Sequence, residues 1–490
     1  MHGQASIEME VWKCFGQSGE DTRNAIQRGI KEGVFKVNKG CVGYRPIMEA
    51  EERIAARVLG SKKTKLSPHQ RRVIQHVIDH AYIYLDKPGF ELSEVQASAV
   101  WTAMEHEISI ITGPAGSGKT AVCSVIYAIC LKLNLVASGV CFIGRAARNL
   151  HGACKVILDD HTEHFLPTDT VHRGIGLSPV GKKVREIFPK RAVNCNVLFI
   201  DEISTLDALF LDAVFKKSKA KRIILAGDVN QILPIGPGQP AADIIASGKL
   251  PVTVFDKNYR TGKAGLRAVA DGINKGSVDV IACDEMDDGF RMIEAPDKVT
   301  AAASIYLKRA KHLNTVMIAP HRGTCKAANI VVRKALGRRK PVEPGDVILI
   351  TENQYDLFTP RGTKTRAYNG DRGIVARIED NIATIKMETG ASILLELDAR
   401  GFLPEFADYG YCLTVHKSLG SQWPHTVCIT ANGYRKGIVQ RNLVYVQFSR
   451  GRESVTAVGS SWEIENAAST PPRERFTLLR RLLPLPQIEF

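Results

Sequence analysis

ISIITGPAGSGKT, residues 108–120, is an apolar run of strand type that breaks into a glycine-rich loop ending in lysine and threonine. Gly113, four residues, then Gly118, Lys119 and Thr120 is the spacing of a phosphate-binding loop. Glycines keep side chains clear of its centre, so the backbone across Gly113, Pro114, Ala115, Gly116, Ser117 and Gly118 can close around a polyphosphate. Lys119 is placed to reach the β and γ phosphates, and the Thr120 hydroxyl to take a position on Mg²⁺. The helix expected from Ala121 adds the positive end of its dipole.

Working outward, other apolar runs also close on polar residues. VLFIDE, residues 197–202, ends in paired carboxylates: Asp201 suits a Mg²⁺ shell and Glu202 suits the activation of water. RIILAGD, residues 222–228, repeats the form and is followed by Gln231, a neutral amide that can register a γ phosphate. After the short run at residues 252–255 come Asn258, Tyr259 and Arg260, the last a cation suited to charge developing in phosphoryl transfer. Upstream, LSEVQ at residues 92–96 places Gln96 in the first turns of a serine-capped helix, where its amide could read an adenine edge. Arg145, in GRAARNL, and Thr170, His172 and Arg173, in TVHR, stand where parallel strands meet ligands.

The 490 residues exceed one core, and two to four domains are expected. With 66 Lys and Arg against 51 Asp and Glu the net charge is +15, which points to a polyanionic partner. Basic clusters recur at residues 62–65, 182–191, 216–222 and 338–340. The 11 cysteines contain no C-x-x-C pair, which fits reduced thiols and a cytoplasmic location. His76 with His80, and His161 with His164, lack further ligands at metal spacing. The N-terminal stretch has no apolar signal core and no run approaches a membrane span, so neither secretion nor a membrane is expected.

LSEVQ, GPAGSGKT, GRAARNL, TVHR, FIDEIS, GDVNQILPIGPG, NYR, YCLTVHKSLGS and VYVQFSRGR follow one another between about residues 91 and 460. This order resembles the superfamily 1 helicases, and within them the RecD-like 5′-to-3′ group. The resemblance implies an α/β fold of two RecA-like P-loop lobes, parallel sheets flanked by helices, with ATP and Mg²⁺ between them. Arg260 and Arg450 match the arginine fingers, and with Lys119, Glu202 and Gln231 they make up the implied catalytic set. Gln96, Gly420 and the phosphate loop would bind nucleotide, with Thr120 and Asp201 on the metal. Thr414, His416 and Lys417 join Arg145, Thr170, His172 and Arg173 as implied contacts to the nucleic-acid backbone. Leu419 and Gln422 depart from the family pattern, which usually has glutamine and glutamate there.

The implied organisation is a helical or winged-helix-like accessory domain at 1–90 and a first lobe at 91–250 with a basic protrusion near 174–195. A second lobe follows at 251–340 and 405–470, split by a β-barrel insertion at 341–404, and a basic proline-containing tail ends the chain at 471–490. The implied activity is ATP-dependent DNA unwinding during translocation on single strands, with single-stranded and forked DNA as partners. A protein partner could dock on the N-terminal domain or on the tail. The alternatives are an RNA helicase of viral type and a nucleic-acid-stimulated ATPase that remodels without unwinding.

Overall fold

The computed structural model describes residues 19–176, 192–256, 262–309, 313–431 and 439–483. The apolar runs read as strands form two all-parallel sheets. In the first, the order across the sheet is Val252–Val254, Ile108–Thr112, Arg222–Gly227, Val197–Asp201, Ala137–Cys141 and Thr168–Thr170. Its central strands are buried on both faces, which is why they read as continuous apolar runs. The second sheet runs Phe290–Glu294, Gly451–Gly459, Trp423–Ile429, Thr315–Ala319 and Cys412–Thr414. Helices cover both sheets, giving a mixed α/β fold of two lobes.

Between Thr315–Ala319 and Cys412–Thr414 the chain builds a third, antiparallel sheet of seven strands. It contains Val347–Ile350, Gln354–Phe358, Lys364–Ala367, Arg372–Glu379, Ile382–Met387, Ser392–Glu396 and Ala407–Tyr409. This sheet continues past residue 404 to Tyr409. Where the chain leaves this insertion, the buried Asn329 side chain donates to Tyr409 O at 3.0 Å and accepts from Cys412 N at 2.8 Å.

The N-terminal residues differ from a self-contained accessory domain. Ile54, Ala55 and Val58 of helix Arg45–Leu59 enter the core on one face of the first sheet. Ile74 and Val77 of helix Pro68–Asp79 enter the core on its other face, beside the phosphate-loop helix. These helices are amphipathic and short, so their apolar stripes are buried on the lobe rather than on each other. A small hairpin, Phe35–Asn38 with Cys41–Tyr44, lies before them.

The C-terminal tail leaves the second lobe after helix Ser461–Ser469 and reaches the first, where Leu479 and Leu483 share a core with Ile54 and Val58. Most of the expected basic protrusion lies outside the described residues.

Candidate nucleotide and nucleic-acid site

The strand Ile108–Thr112 ends in a loop whose glycines are required by geometry. Gly113, Gly116 and Gly118 all have positive φ. A Cβ on Gly113 would stand 2.5 Å from Phe255 O, and one on Gly118 would stand 2.4 Å from Gln96 Nε2. Helix Lys119–Lys132 begins here with no side-chain cap, which leaves its first N–H groups for an anion. The Lys119 ammonium donates to Gly113 O at 2.6 Å and Pro114 O at 2.8 Å, so it sits over the loop.

Gln96 braces that loop from behind. Its amide oxygen accepts from Ser93 N at 3.0 Å within a capping box, and its amide nitrogen donates to Ser117 O at 3.3 Å. The side chain is buried and both of its polar atoms are engaged by the chain itself. In this position it supports the phosphate loop, with one amide N–H and one lone pair of the oxygen left over.

Asp201 ends its strand, and Glu202 follows with φ 54° and ψ 43°, a left-handed conformation. For a residue other than glycine this costs about 1 kcal/mol or more, a strain tolerated where the surroundings dictate the direction of the side chain. Burial and the neighbouring Asp201 charge push the Glu202 carboxyl up to about 7, while Arg450 and Lys119 pull it down. Burial also raises Asp201 and Asp228. Three acids held in a dry site favour a cation, and Asp201 with the Thr120 hydroxyl offers the hard oxygen donors that Mg²⁺ takes. Gln231 is 4% exposed, and its Oε1 has no hydrogen-bond partner among the described residues.

The second lobe supplies the opposite wall. Arg450 is buried, and its guanidinium donates to Val446 O at 3.0 Å, Ser421 O at 3.2 Å and Ser449 Oγ at 2.8 Å. Glu202 and Asp228 of the first lobe both act electrostatically on it. A cleft lined by Pro114 and Ala115 on one side and Leu266, Arg267, Gln422 and Arg452 on the other separates the lobes. Arg260 lies outside the described residues. Gly420 faces helix Gly144–Ala153: a Cβ there would stand 3.3 Å from Ala146, and Gly420 O accepts from Asn149 at 2.5 Å. It joins the lobes at this point.

The Arg145 guanidinium is buried, donating to Gly370 O at 2.7 Å and Glu388 Oε2 at 2.8 Å and lying 5.3 Å from the Trp423 ring centre. Those contacts tie it to the inserted sheet and the second lobe. Arg148, which sequence reasoning missed, binds Asp371 with both terminal nitrogens, one of them at 2.6 Å. Glu388 also accepts from Arg372 at 3.0 Å and from the Trp423 indole at 2.8 Å. The carboxylates flank antiparallel strands, Asp371 just before Arg372–Glu379 and Glu388 just after Ile382–Met387, and more than 200 residues separate each from its arginine.

The remaining expected contacts lie at strand ends. Thr170 caps helix Val171–Gly174 by accepting from Arg173 N at 3.4 Å. The His172 ring lies 5.5 Å from Phe142 and 4.7 Å from Phe210, and burial lowers its pKa. Arg173 pairs with Asp169 at 3.5 Å and lies 5.1 Å from the Tyr355 ring centre in the inserted sheet. On the second lobe, Thr414 accepts from Lys417 N at 3.3 Å, His416 is exposed, and burial depresses the Lys417 ammonium.

A phosphate loop on one parallel sheet, facing a buried arginine on a second, defines a P-loop nucleotide-binding protein with two lobes. An AAA domain model matches residues 96–237 and a UvrD-like helicase C-terminal domain model matches 409–458. The ATP-dependent RecD2 DNA helicase of Deinococcus radiodurans is 26% identical over 419 residues, 79% of this chain and 52% of that protein. The RecBCD enzyme subunit RecD of Mycolicibacterium smegmatis is 26% identical over 440 residues, 80% of this chain and 75% of that subunit. A Pif1 helicase from Bacteroides, solved with ADP-AlF3 and ssDNA, overlays with a TM-score of 0.49 at 16% identity, covering 84% of this chain and 95% of that one. The family models and the RecD-type relatives bear out the resemblance carried by the motif blocks: the chain is similar to the RecD-like superfamily 1 helicases. It spans about half the length of the RecD2 relative.

Proposed function

We propose that the protein is an ATP-driven DNA helicase that moves 5′-to-3′ along single strands and separates duplex at a fork. The observation that carries this reading is the shared hold on Glu202: Lys119 of the first lobe and Arg450 of the second both act on its carboxyl. A nucleotide bound there would contact both lobes, so its hydrolysis changes how they sit together.

In this reading Lys119 and the phosphate loop bind the polyphosphate, and Glu202 takes the proton of the attacking water. Its pKa near 7 suits a general base at neutral pH. Gln231 would donate an amide N–H to the γ phosphate, which leaves its Oε1 to accept from the attacking water. Arg450 and Arg260 neutralise charge developing on the transferred phosphoryl group. Thr120 and Asp201 would hold Mg²⁺, which when bound offsets phosphate charge. The lobes correspond to two RecA-like units and residues 341–404 to a β-barrel insertion, beside a strand held by Thr170, His172, Arg173, Thr414, His416 and Lys417. Such contacts to the backbone position a strand without reading bases. Buried, unpaired cysteines fit a cytoplasmic setting, and among the described residues no helix is long and apolar enough to cross a membrane.

Forked duplexes with 5′ or 3′ single-stranded tails, in DNA and in RNA, test the reading with ATP present. Unwinding of the 5′-tailed DNA fork by the wild type, abolished in Glu202→Gln, is expected. Stimulated hydrolysis with no strand separation would favour a remodelling ATPase, and a preference for the RNA fork would assign the other polynucleotide.

A further inference from the structure

The tail described above joins two elements that face the nucleotide. At the second lobe, Arg441 N donates to Thr470 O at 2.9 Å and Arg473 N donates to the Gln440 side chain at 3.2 Å. These residues lie at the start of helix Arg441–Phe448, the helix that leads into Arg450. At the first lobe, Arg475 donates to three carbonyls of the loop that follows Gln231: Pro234 at 2.5 Å, Gly236 at 2.6 Å and Gly238 at 2.8 Å.

The remainder of the tail is fastened to the same lobe. Thr477 Oγ1 donates to Asp243 at 2.6 Å, and Leu478 N and Leu479 N donate to Glu51 at 2.7 and 3.1 Å. Only Glu474 separates Arg473, anchored on Gln440, from the Arg475 clamp, so this stretch cannot absorb a large displacement of the lobes. A fully extended chain spans at most about 3.6 Å per residue.

We infer that residues 470–483 are a strap linking lobe closure to the Gln231 loop, with Arg475 as the residue that positions that loop. The inference rests on the hydrolysis cycle proposed above. When the lobes move, the strap draws on the three carbonyls held by Arg475, and the loop carrying Gln231 moves with the helix that leads to Arg450. Arg475 itself touches no reacting atom.

The test compares single-strand-stimulated and unstimulated ATP hydrolysis in the full chain for the wild type, Arg475→Ala, Arg475→Lys, and a chain with Gly-Gly-Ser-Gly inserted between Arg473 and Glu474. The insertion keeps Arg475 docked but slackens the strap. Arg475→Ala and the insertion are each expected to lower stimulated kcat about tenfold or more, with KM for ATP within about twofold of wild type. Arg475→Lys is expected to recover only part, because a single ammonium does not reproduce a fork across three carbonyls. If the insertion variant is stimulated like the wild type, the strap inference is overturned, whatever happens to Arg475→Ala. A wild type that shows no stimulation by single strands instead overturns the proposed function.

Discussion

Tyr445 of the second lobe donates its phenolic hydrogen to Asp228 of the first at 2.8 Å, with both side chains buried. Asp228 follows the strand Arg222–Gly227, and Tyr445 lies on the helix that leads to Arg450, so the bond spans the nucleotide cleft. Tyr445→Phe would leave Asp228 with the Asn230 N–H at 3.0 Å and no donor across the cleft. The expected loss is about 1–3 kcal/mol from contact between the lobes. It would be seen as a lower melting temperature and as weaker binding of a non-hydrolysable ATP analogue.

Glu202 must be ionised to accept a proton from water, and its carboxyl is pushed up to about 7 by burial and Asp201. The acid limb of kcat/KM for ATP is therefore expected to fall as pH drops through about 7, well above the range of an ordinary glutamate. In Glu202→Gln that limb is expected to vanish together with the activity, while ATP binding persists. A limb near pH 4 to 5 in stopped-time hydrolysis assays would contradict this assignment.

Glu51 gives a pH effect on stability. Its folded-state pKa, about 7, lies above the ordinary 4.5, chiefly through burial. The folded chain binds this proton more tightly than the unfolded chain does. Its contribution is greatest below pH 4.5 and is lost as pH rises toward 7. The loss is at most on the order of 3 kcal/mol. Denaturant titrations at pH 5 and pH 8 are expected to show a smaller difference for Glu51→Gln than for the wild type.

Arg145 and Lys417 should separate cleanly under mutation. Arg145→Ala leaves Glu388 with Arg372 and Trp423 but removes one of the ion pairs from the first lobe to the insertion, the Arg148–Asp371 pair remaining. Breaking a buried pair costs about 3–5 kcal/mol, so a fall in melting temperature is expected with little change in affinity for single strands. Lys417→Ala is expected to do the reverse, weakening binding and reducing the salt slope by about 0.7 for a lost phosphate contact. Fluorescence anisotropy with labelled oligonucleotides across a salt series reads both.

The phosphate loop, the Asp201 and Glu202 pair and the buried strands were legible because phosphate chemistry demands particular residues at fixed short spacings. Burial on both faces likewise leaves an unbroken apolar run. What escaped was decided by partners far along the chain. Arg145 finds Glu388 across 243 positions, and Tyr445 finds Asp228 across 217. Arg475 reaches Pro234 across 241. Nothing local in GRAARNL distinguishes an arginine facing a phosphate from one facing a buried carboxylate. Gln96 shows the same limit: a side chain beside the loop can serve the ligand or the loop, and its tie to Ser117 O could not be read from LSEVQ.

Asn329 gives the inserted sheet its mechanical footing. One amide grips the chain on both sides of Gly410 and Tyr411, where the insertion hands over to the parallel sheet. Arg333 of the same helix adds a second fastening, pairing with Asp346 at 3.2 Å and donating to Tyr409 Oη at 3.0 Å, so load borne by the insertion enters helix Arg322–Ala335 through both residues.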